Sequence, residues 1–338
     1  MAGSFAAALL GWYDAHGRRG LPWQVPCPYR RWVSEIMLQQ TTVRSAIPYF
    51  GAFLARFPSV EALAGAPLED VMRHWAGLGY YARARNLHAA ARRIVADYGG
   101  QWPRSVAGLA ALPGIGRSTA GAIAAFAFGV RAPILDANVR RVLRRYHDEH
   151  ATGAVLTRRL WAYAEEKLPP DRIEDYTQAV MDLGALVCRK VPACLDCPLK
   201  GDCRFTGDAP ARVRPAKPAR QATLLLARRS DRRVLLVRRP AEGIWGGLWS
   251  LPECARPEDA RDCLGACGVD LLDHQLLAPV VHHFTHFALH IQPVLAQVRA
   301  GPSTPPPGSD MMWHPLDQPA PGVSAPVGRL LNRIKDLP

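Results

Sequence analysis

Leu112-Pro113-Gly114-Ile115-Gly116-Arg117-Ser118-Thr119-Ala120 stands between two stretches of helical periodicity. Its glycines permit a tight turn, and that turn leaves backbone N–H groups exposed where the second helix starts. Such groups bind a DNA phosphate without reading base sequence. Leu112, Gly114, Gly116 and Arg117 are therefore expected at a DNA contact. Downstream, Pro133-Ile134-Leu135-Asp136-Ala137-Asn138-Val139 sets an acid just before a basic helical segment, Val139 to Tyr146. Read alone, Asp136 is an N-cap whose side-chain oxygen serves free N–H groups of that helix.

Working outward, the chain up to about residue 205 is rich in Ala, Leu and Arg with helical periodicity. Its breaks fall at Phe57-Pro58, Leu112-Pro113-Gly114 and Pro169-Pro170. Gly207 to Arg220 holds three prolines and several basic residues but few bulky apolar ones, as an extended linker does. Beyond it come β-type segments, Ala222 to Ala227, Arg233 to Val237 and Phe287 to Val294, with Gly/Trp-rich and Pro-rich loops. Gly301 to Gly308 reads as a proline-rich surface loop. The expected organisation is a mainly α domain over residues 1–206, a linker over 207–221 and an α+β domain over 222–338.

With 338 residues, 49% hydrophobic and 21% charged, the chain is long enough for two cores. A formal net charge of +13 suits a polyanionic partner, because each cation that replaces a phosphate counterion adds salt-sensitive affinity. The Ala/Leu run Phe5 to Leu10 has no basic segment before it, which argues against a cleaved signal. The longest apolar stretch, Thr119 to Val130, is well short of the roughly 20 residues of a membrane-spanning helix. A cytoplasmic monomer without membrane association is expected.

Four of the eight cysteines crowd into one segment, Cys188-x5-Cys194-x2-Cys197-x5-Cys203, while Cys27, Cys254, Cys263 and Cys267 are scattered. Clustering of this kind points to a metal site rather than a disulfide framework. Four thiolates suit either a [4Fe–4S] cluster or structural zinc, and spacing alone does not choose. Near the N-terminus, Trp32-Val33-Ser34-Glu35-Ile36-Met37-Leu38-Gln39-Gln40-Thr41-Thr42 is a helical pattern with Val33, Ile36 and Met37 on one face and Glu35 with Gln39 on another. A carboxyl in such apolar surroundings has its pKa raised and holds a proton near neutral pH, which suits a general acid.

The hairpin followed at this separation by Asp136 resembles the helix–hairpin–helix DNA glycosylase superfamily. Ser34-Glu35-Ile36-Met37-Leu38-Gln39-Gln40-Thr41 resembles the signature of its MutY family of adenine glycosylases. The resemblance implies that Glu35 protonates an extruded adenine and that Asp136 stabilises or captures the sugar cation. Asn138 would orient the site, and Ser118 stands where lyase-competent relatives carry the Schiff-base lysine. Leu21-Pro22-Trp23 and Gln178 match the adenine pocket. Gln40 and Tyr80, the latter in Gly77-Leu78-Gly79-Tyr80-Tyr81, match residues inserted near the oxidised guanine.

Around the cysteines, Met181 to Cys188 and Cys197-Pro198-Leu199 resemble the family's iron–sulfur loop, which favours [4Fe–4S], although the first gap is one residue shorter. In the C-terminal part, Gly247-x5-Glu253-x7-Arg261 and onward keeps the spacing of a Nudix box, but Gly265 and Ala266 replace the metal-holding glutamates. A Nudix-like domain without hydrolase chemistry is implied. Phe284-Thr285-His286 matches the family's loop that senses 8-oxoguanine, with Thr in place of Ser. The expected activity is monofunctional excision of adenine opposite 8-oxoguanine or guanine in duplex DNA. The alternatives are an endonuclease III-like glycosylase/lyase, which Glu35 and Ser118 oppose, and a catalytically silent damage binder.

Overall fold

The computed structural model describes residues 2–208, 217–240, 242–299, 310–335 and 337. Most of the expected linker and the Gly301 to Gly308 loop lie outside the described residues. The chain divides into two compact units, one of Met1–Ala66 and Arg85–Arg212, the other of Pro67–Ala84 and Val213–Pro338.

In chain order the helices are α1 (Ala2–His16), α2 (Pro28–Leu38), α3 (Val43–Arg56), α4 (Val60–Gly65), α5 (Leu68–Trp75), α6 (Ala82–Tyr98), α7 (Val106–Ala110), α8 (Arg117–Phe128), α9 (Ala137–Tyr146), α10 (Gly153–Glu166) and α11 (Ile173–Leu186). Their ends follow local chemistry. Thr42, Ser59 and Ser105 cap α3, α4 and α7 by accepting from the N–H groups of Ser45, Ala62 and Gly108. Gly129 closes α8 in a left-handed conformation. The core of the helical unit draws Phe5 and Leu9 from α1, Leu143 from α9, Leu160 from α10 and Leu183 from α11, all at 0 or 1% exposure. Full burial of each such side chain stabilises the fold by roughly 1.5–3 kcal/mol.

The second unit is built on a mixed sheet. Its strands are β1 (Ala219–Arg228), β2 (Arg233–Arg238), β3 (Trp249–Ser250), β4 (Glu253–Cys254), β5 (Leu271–Leu276), β6 (Val280–His283), β7 (Ala288–Val298) and β8 (Met311–Pro315). The order β3-β2-β1-β7-β5 carries β4 on β1, β6 on β7 and β8 on β2. Strands β1 and β7 run parallel from Ala219 opposite Ala288 to Arg228 opposite Gln297. Residues 222–227 are all buried, because helices cover both faces of the sheet. Leu224 and Leu226 face Val327, Leu330 and Ile334 of α13 (Ala325–Lys335), while Leu225 and Ala227 share a second cluster with Leu264 of α12 (Ala260–Ala266). Odd and even strand positions thus serve different cores.

Residues 67–84, expected within the helical domain, pack instead with the C-terminal unit. The indole of Trp249 donates to Glu69 at 2.9 Å and the Tyr81 hydroxyl to the Val323 carbonyl at 3.4 Å. These two bonds tie a segment far away in sequence to the sheet.

Candidate active site

Helix α2 starts with Pro28 at its first turn, where a missing N–H costs nothing, and buries Trp32, Val33, Ile36 and Met37. Glu35 is left on the remaining face. The helix stops at Leu38, short of the expected Thr42, because Gln40 takes a left-handed backbone with φ 58°. Gln39 therefore sits just past the helix end, yet its amide still reaches the Thr119 hydroxyl at 3.3 Å.

A cavity of about 490 Å³ opens beside Glu35, walled by Leu21, Trp23, Gln39, Ser118, Asp136, Asn138 and Gln178, together with Arg18 and Met181. Burial, and next the charge of Asp136, push the Glu35 carboxyl up to about 7, against a smaller opposing pull from Arg31. Arg31 is held away by its ion pair with Glu174 and by lying over the Phe126 ring, 5.0 Å from its centroid.

Asp136 is an N-cap and a cavity residue at once. Its Oδ1 accepts from the Val139 N–H at 2.7 Å, which starts α9 and aims the carboxylate into the cavity. Burial raises its pKa above the ordinary aspartate value, while the Val139 and Asn138 N–H groups and Arg141 pull it back down. Two carboxyls thus face one cavity in different surroundings: among the described residues, Asp136 meets backbone donors and Glu35 meets none. Burial raises both carboxyls, and at Asp136 the backbone donors and Arg141 offset part of that rise.

Ser118 uses its hydroxyl to accept from the Leu135 N–H at 2.9 Å, which braces the segment leading to Asp136. Trp23 is 3% exposed and meets Phe50 edge-on at 5.3 Å, so it is a core residue with one edge on the cavity. In the hairpin, Gly114 has φ 75° and a Cβ there would strike Asn86 at 2.6 Å, whereas Gly116 caps α8 with open space around it. The Leu112 side chain is turned inward beneath the hairpin. Its side chain is 2% exposed, because it anchors the turn in the core, and only its backbone belongs to the hairpin. The Arg117 guanidinium carbon sits over the Trp161 ring, 3.8 Å from its centroid, exposed at the start of α8.

Helix α9 also ties down the cysteine segment. Arg141 donates to the carbonyls of Cys188 and Gly184, each at 2.6 Å, and to Asn138 Oδ1 at 2.9 Å. Arg145 donates to Cys188 Sγ at 3.5 Å and to the Arg189 carbonyl at 2.6 Å. Cys188, Cys197 and Cys203 pack against the helical core and Cys194 is exposed. Burial raises Cys197 and Cys203, and the neighbouring cysteines raise them further. Among the described residues, no three His, Cys, Asp or Glu side chains are grouped closely enough to hold a metal ion.

In the other unit, Tyr80 has φ 50° and is 47% exposed, with the Arg83 guanidinium over its ring. Its hydroxyl meets that of Thr285 at 2.9 Å. Phe284 stacks on Phe287 at 4.4 Å and is flanked by His282 and Trp245, while Thr285 and His286 are exposed.

Residues 33–165 match the model of the helix–hairpin–helix superfamily of base excision DNA repair proteins, and residues 223–333 match that of the NUDIX domain. The chain is 34% identical over 341 residues to the adenine DNA glycosylase of Buchnera aphidicola subsp. Baizongia pistaciae, covering 98% of this chain and 97% of that one. The chain belongs to the adenine DNA glycosylases. The Mycolicibacterium smegmatis adenine DNA glycosylase is 43% identical over 201 residues, 58% of this chain and 68% of that protein. A thermostable thymine-DNA glycosylase shares the fold of the helical unit with TM-score 0.55 and 28% identity over 60% of this chain and 95% of its own.

As a member of that family the chain is an enzyme that hydrolyses N-glycosyl bonds in base excision repair. Its helical unit brings Glu35, Asp136, Asn138, Ser118, Leu21, Trp23 and Gln178 around one cavity. Three residues that bond to members of this candidate site were not singled out in the sequence: Arg18, which also lines the cavity, Asp182 and Arg141. Asp182 stands four residues after Gln178, on the same helix face, and that spacing was a usable signal. Arg141 has the same kind of signal in its spacing from Asn138. Arg18 carried none, because its partner is 164 residues away. Among the described residues, no helix is long and apolar enough to cross a membrane.

Proposed function

We propose that this glycosylase excises adenine mispaired with 8-oxoguanine or guanine from duplex DNA and leaves the strand itself uncut. The observation that carries the reading is the pair of carboxyls on one cavity, Glu35 pushed up to about 7 and Asp136 held by backbone donors. Adenine leaves poorly until its ring is protonated. Glu35 gives its proton to a ring nitrogen, and the C1′–N9 bonding pair departs with the neutral base. The sugar is left an oxocarbenium ion, which the Asp136 carboxylate stabilises or traps as an ester at C1′. Water then adds at C1′, giving its proton to the Glu35 carboxylate and freeing Asp136. Ser118 offers no amine for a Schiff base, so no strand cleavage follows.

The extruded base needs a shaped pocket, for which Leu21, Trp23 and Gln178 are suited. The N–H groups of the Gly114–Gly116 hairpin and Arg117 suit a phosphate, and Gln40 and Tyr80 suit the gap in the duplex. Phe284, Thr285 and His286 suit recognition of the oxidised guanine, with the Tyr80–Thr285 hydroxyl contact supporting a role shared by these two loops. The four cysteines suit a [4Fe–4S] cluster. They supply four thiol donors from one segment, with Cys188, Cys197 and Cys203 packed against the helical core. Such a cluster would be structural, fixing the loop that carries Arg189 and Lys190.

The test is a duplex carrying adenine opposite 8-oxoguanine, followed with and without alkali. Release of adenine with strand breaks only after alkali is expected; breaks without alkali, or no release, would overturn the proposal. Thr285→Val is expected to narrow the preference for 8-oxoguanine over guanine by about tenfold, the worth of one lost polar contact.

A further inference from the structure

Gln178 lines the cavity beside Glu35, and its amide does not choose its own direction. Its Nε2 donates to Asp182 Oδ1 at 2.7 Å. The Asp182 side chain is fully buried at 0% exposure and meets three further donors. The Arg18 guanidinium gives two bonds to Oδ1, from Nε at 2.9 Å and Nη2 at 2.6 Å, and the Arg18 backbone N–H gives one to Oδ2 at 2.8 Å. All four of these partners donate, so both Asp182 oxygens serve as acceptors. Glutamine's two amide ends are nearly the same size but opposite in hydrogen bonding. Against this carboxylate only the NH2 end fits, because turning the amide over would set oxygen against oxygen and cost the desolvation of both.

We propose that Asp182, clamped by Arg18, is the positioning residue that locks the Gln178 amide with its oxygen turned to the cavity, and so makes the pocket select a base bearing an exocyclic amino group. Among the described residues no donor meets Gln178 Oε1, which leaves it for a ligand. Adenine presents an N6 amino group there. Hypoxanthine, which differs in having an oxygen at that position, would meet acceptor with acceptor. Discrimination then comes from leaving a buried polar group unpaired with the wrong base, which penalises it more than a change of shape alone would. Asp182 touches no substrate in this account; it acts through Gln178. The inference rests on the proposed adenine excision.

The experiment compares duplexes with adenine or hypoxanthine opposite 8-oxoguanine, using full-length wild type and Asp182→Asn under single turnover. Asparagine at 182 can offer either end to Gln178, so the amide loses its fixed direction. The ratio of adenine to hypoxanthine excision is expected to fall about tenfold or more, with the rate on hypoxanthine held or raised. If both rates fall together and the ratio stays put, Asp182 is merely structural and the proposal is overturned. A second measurement does not depend on the variant's folding or on activity: hydrogen exchange of the Gln178 side-chain amide in wild type. Protection relative to exposed glutamines is expected, and exchange at their rate would overturn the proposal. A wild type that excises neither base would refute the adenine reading instead, and the amide exchange would still decide the orientation of Gln178.

Discussion

Replacing Glu35 by glutamine removes an acid whose burial makes the folded protein hold a proton that the unfolded chain releases. An ordinary glutamate titrates near 4.5 and Glu35 near 7. At 1.36 kcal/mol per pKa unit, that gap amounts to about 3 kcal/mol. Below 4.5 both states are protonated and Glu35 is neutral to stability. As pH rises from there, the unfolded chain ionises first, so the folded state loses ground until about 7 and carries the whole cost above it. Glutamine does not titrate, and any penalty for burying its amide is independent of pH. Glu35→Gln is therefore expected to gain about 2–3 kcal/mol relative to wild type between about pH 5 and about pH 8. Asp136 titrates in both proteins, so its own contribution cancels apart from its coupling to Glu35. Urea unfolding followed by far-ultraviolet dichroism at both pH values measures the difference. A gap between the two proteins that does not change with pH would mean that Glu35 titrates as an exposed acid, and the general-acid argument would fail with it.

If Glu35 is the general acid proposed above, the excision rate under single turnover is expected to fall about tenfold per pH unit above about 7, as Glu35 loses its proton. A rate flat from pH 7 to 9 would contradict it. Purified protein is expected to be brown with about four irons per chain, and Cys197→Ser to lower that content; a colourless protein with stoichiometric zinc would reverse the cofactor assignment. Arg141→Ala strips donors from the Cys188 and Gly184 carbonyls and from Asn138. It is expected to cost about 2–4 kcal/mol in denaturant unfolding and to slow adenine release, since a charged donor is lost at partly buried acceptors. Unchanged stability would show that these bonds are replaced by water.

What could be read from the sequence was what is local. The Leu112–Ala120 hairpin, Asp136 as a cap and the Glu35 helix each rest on contacts within a turn or two, and the side chains fall where the patterns put them. Residues 222–227 and 233–237 announced β1 and β2 because continuous apolar runs mark a sheet covered on both faces. Strand β5 did not announce itself, since its pattern is one buried residue followed by five exposed ones. The hairpin pattern did not say where the Leu112 side chain goes, and the fold puts it in the core. The allegiance of residues 67–84 was hidden for another reason. It depends on Glu69 meeting Trp249 and Tyr81 meeting the Val323 carbonyl, pairs that only the tertiary fold creates. Arg18 and Asp182 are the same case at the site itself.

The central claim is that two carboxyls divide the work: Glu35 delivers a proton to the base and Asp136 steadies the sugar. It is tested most directly by single-turnover adenine release from an A·8-oxoguanine duplex by wild type, Glu35→Gln and Asp136→Asn, with duplex binding measured alongside. The account predicts that both variants bind the duplex and release almost no adenine. Release at the wild-type rate by either variant would contradict it.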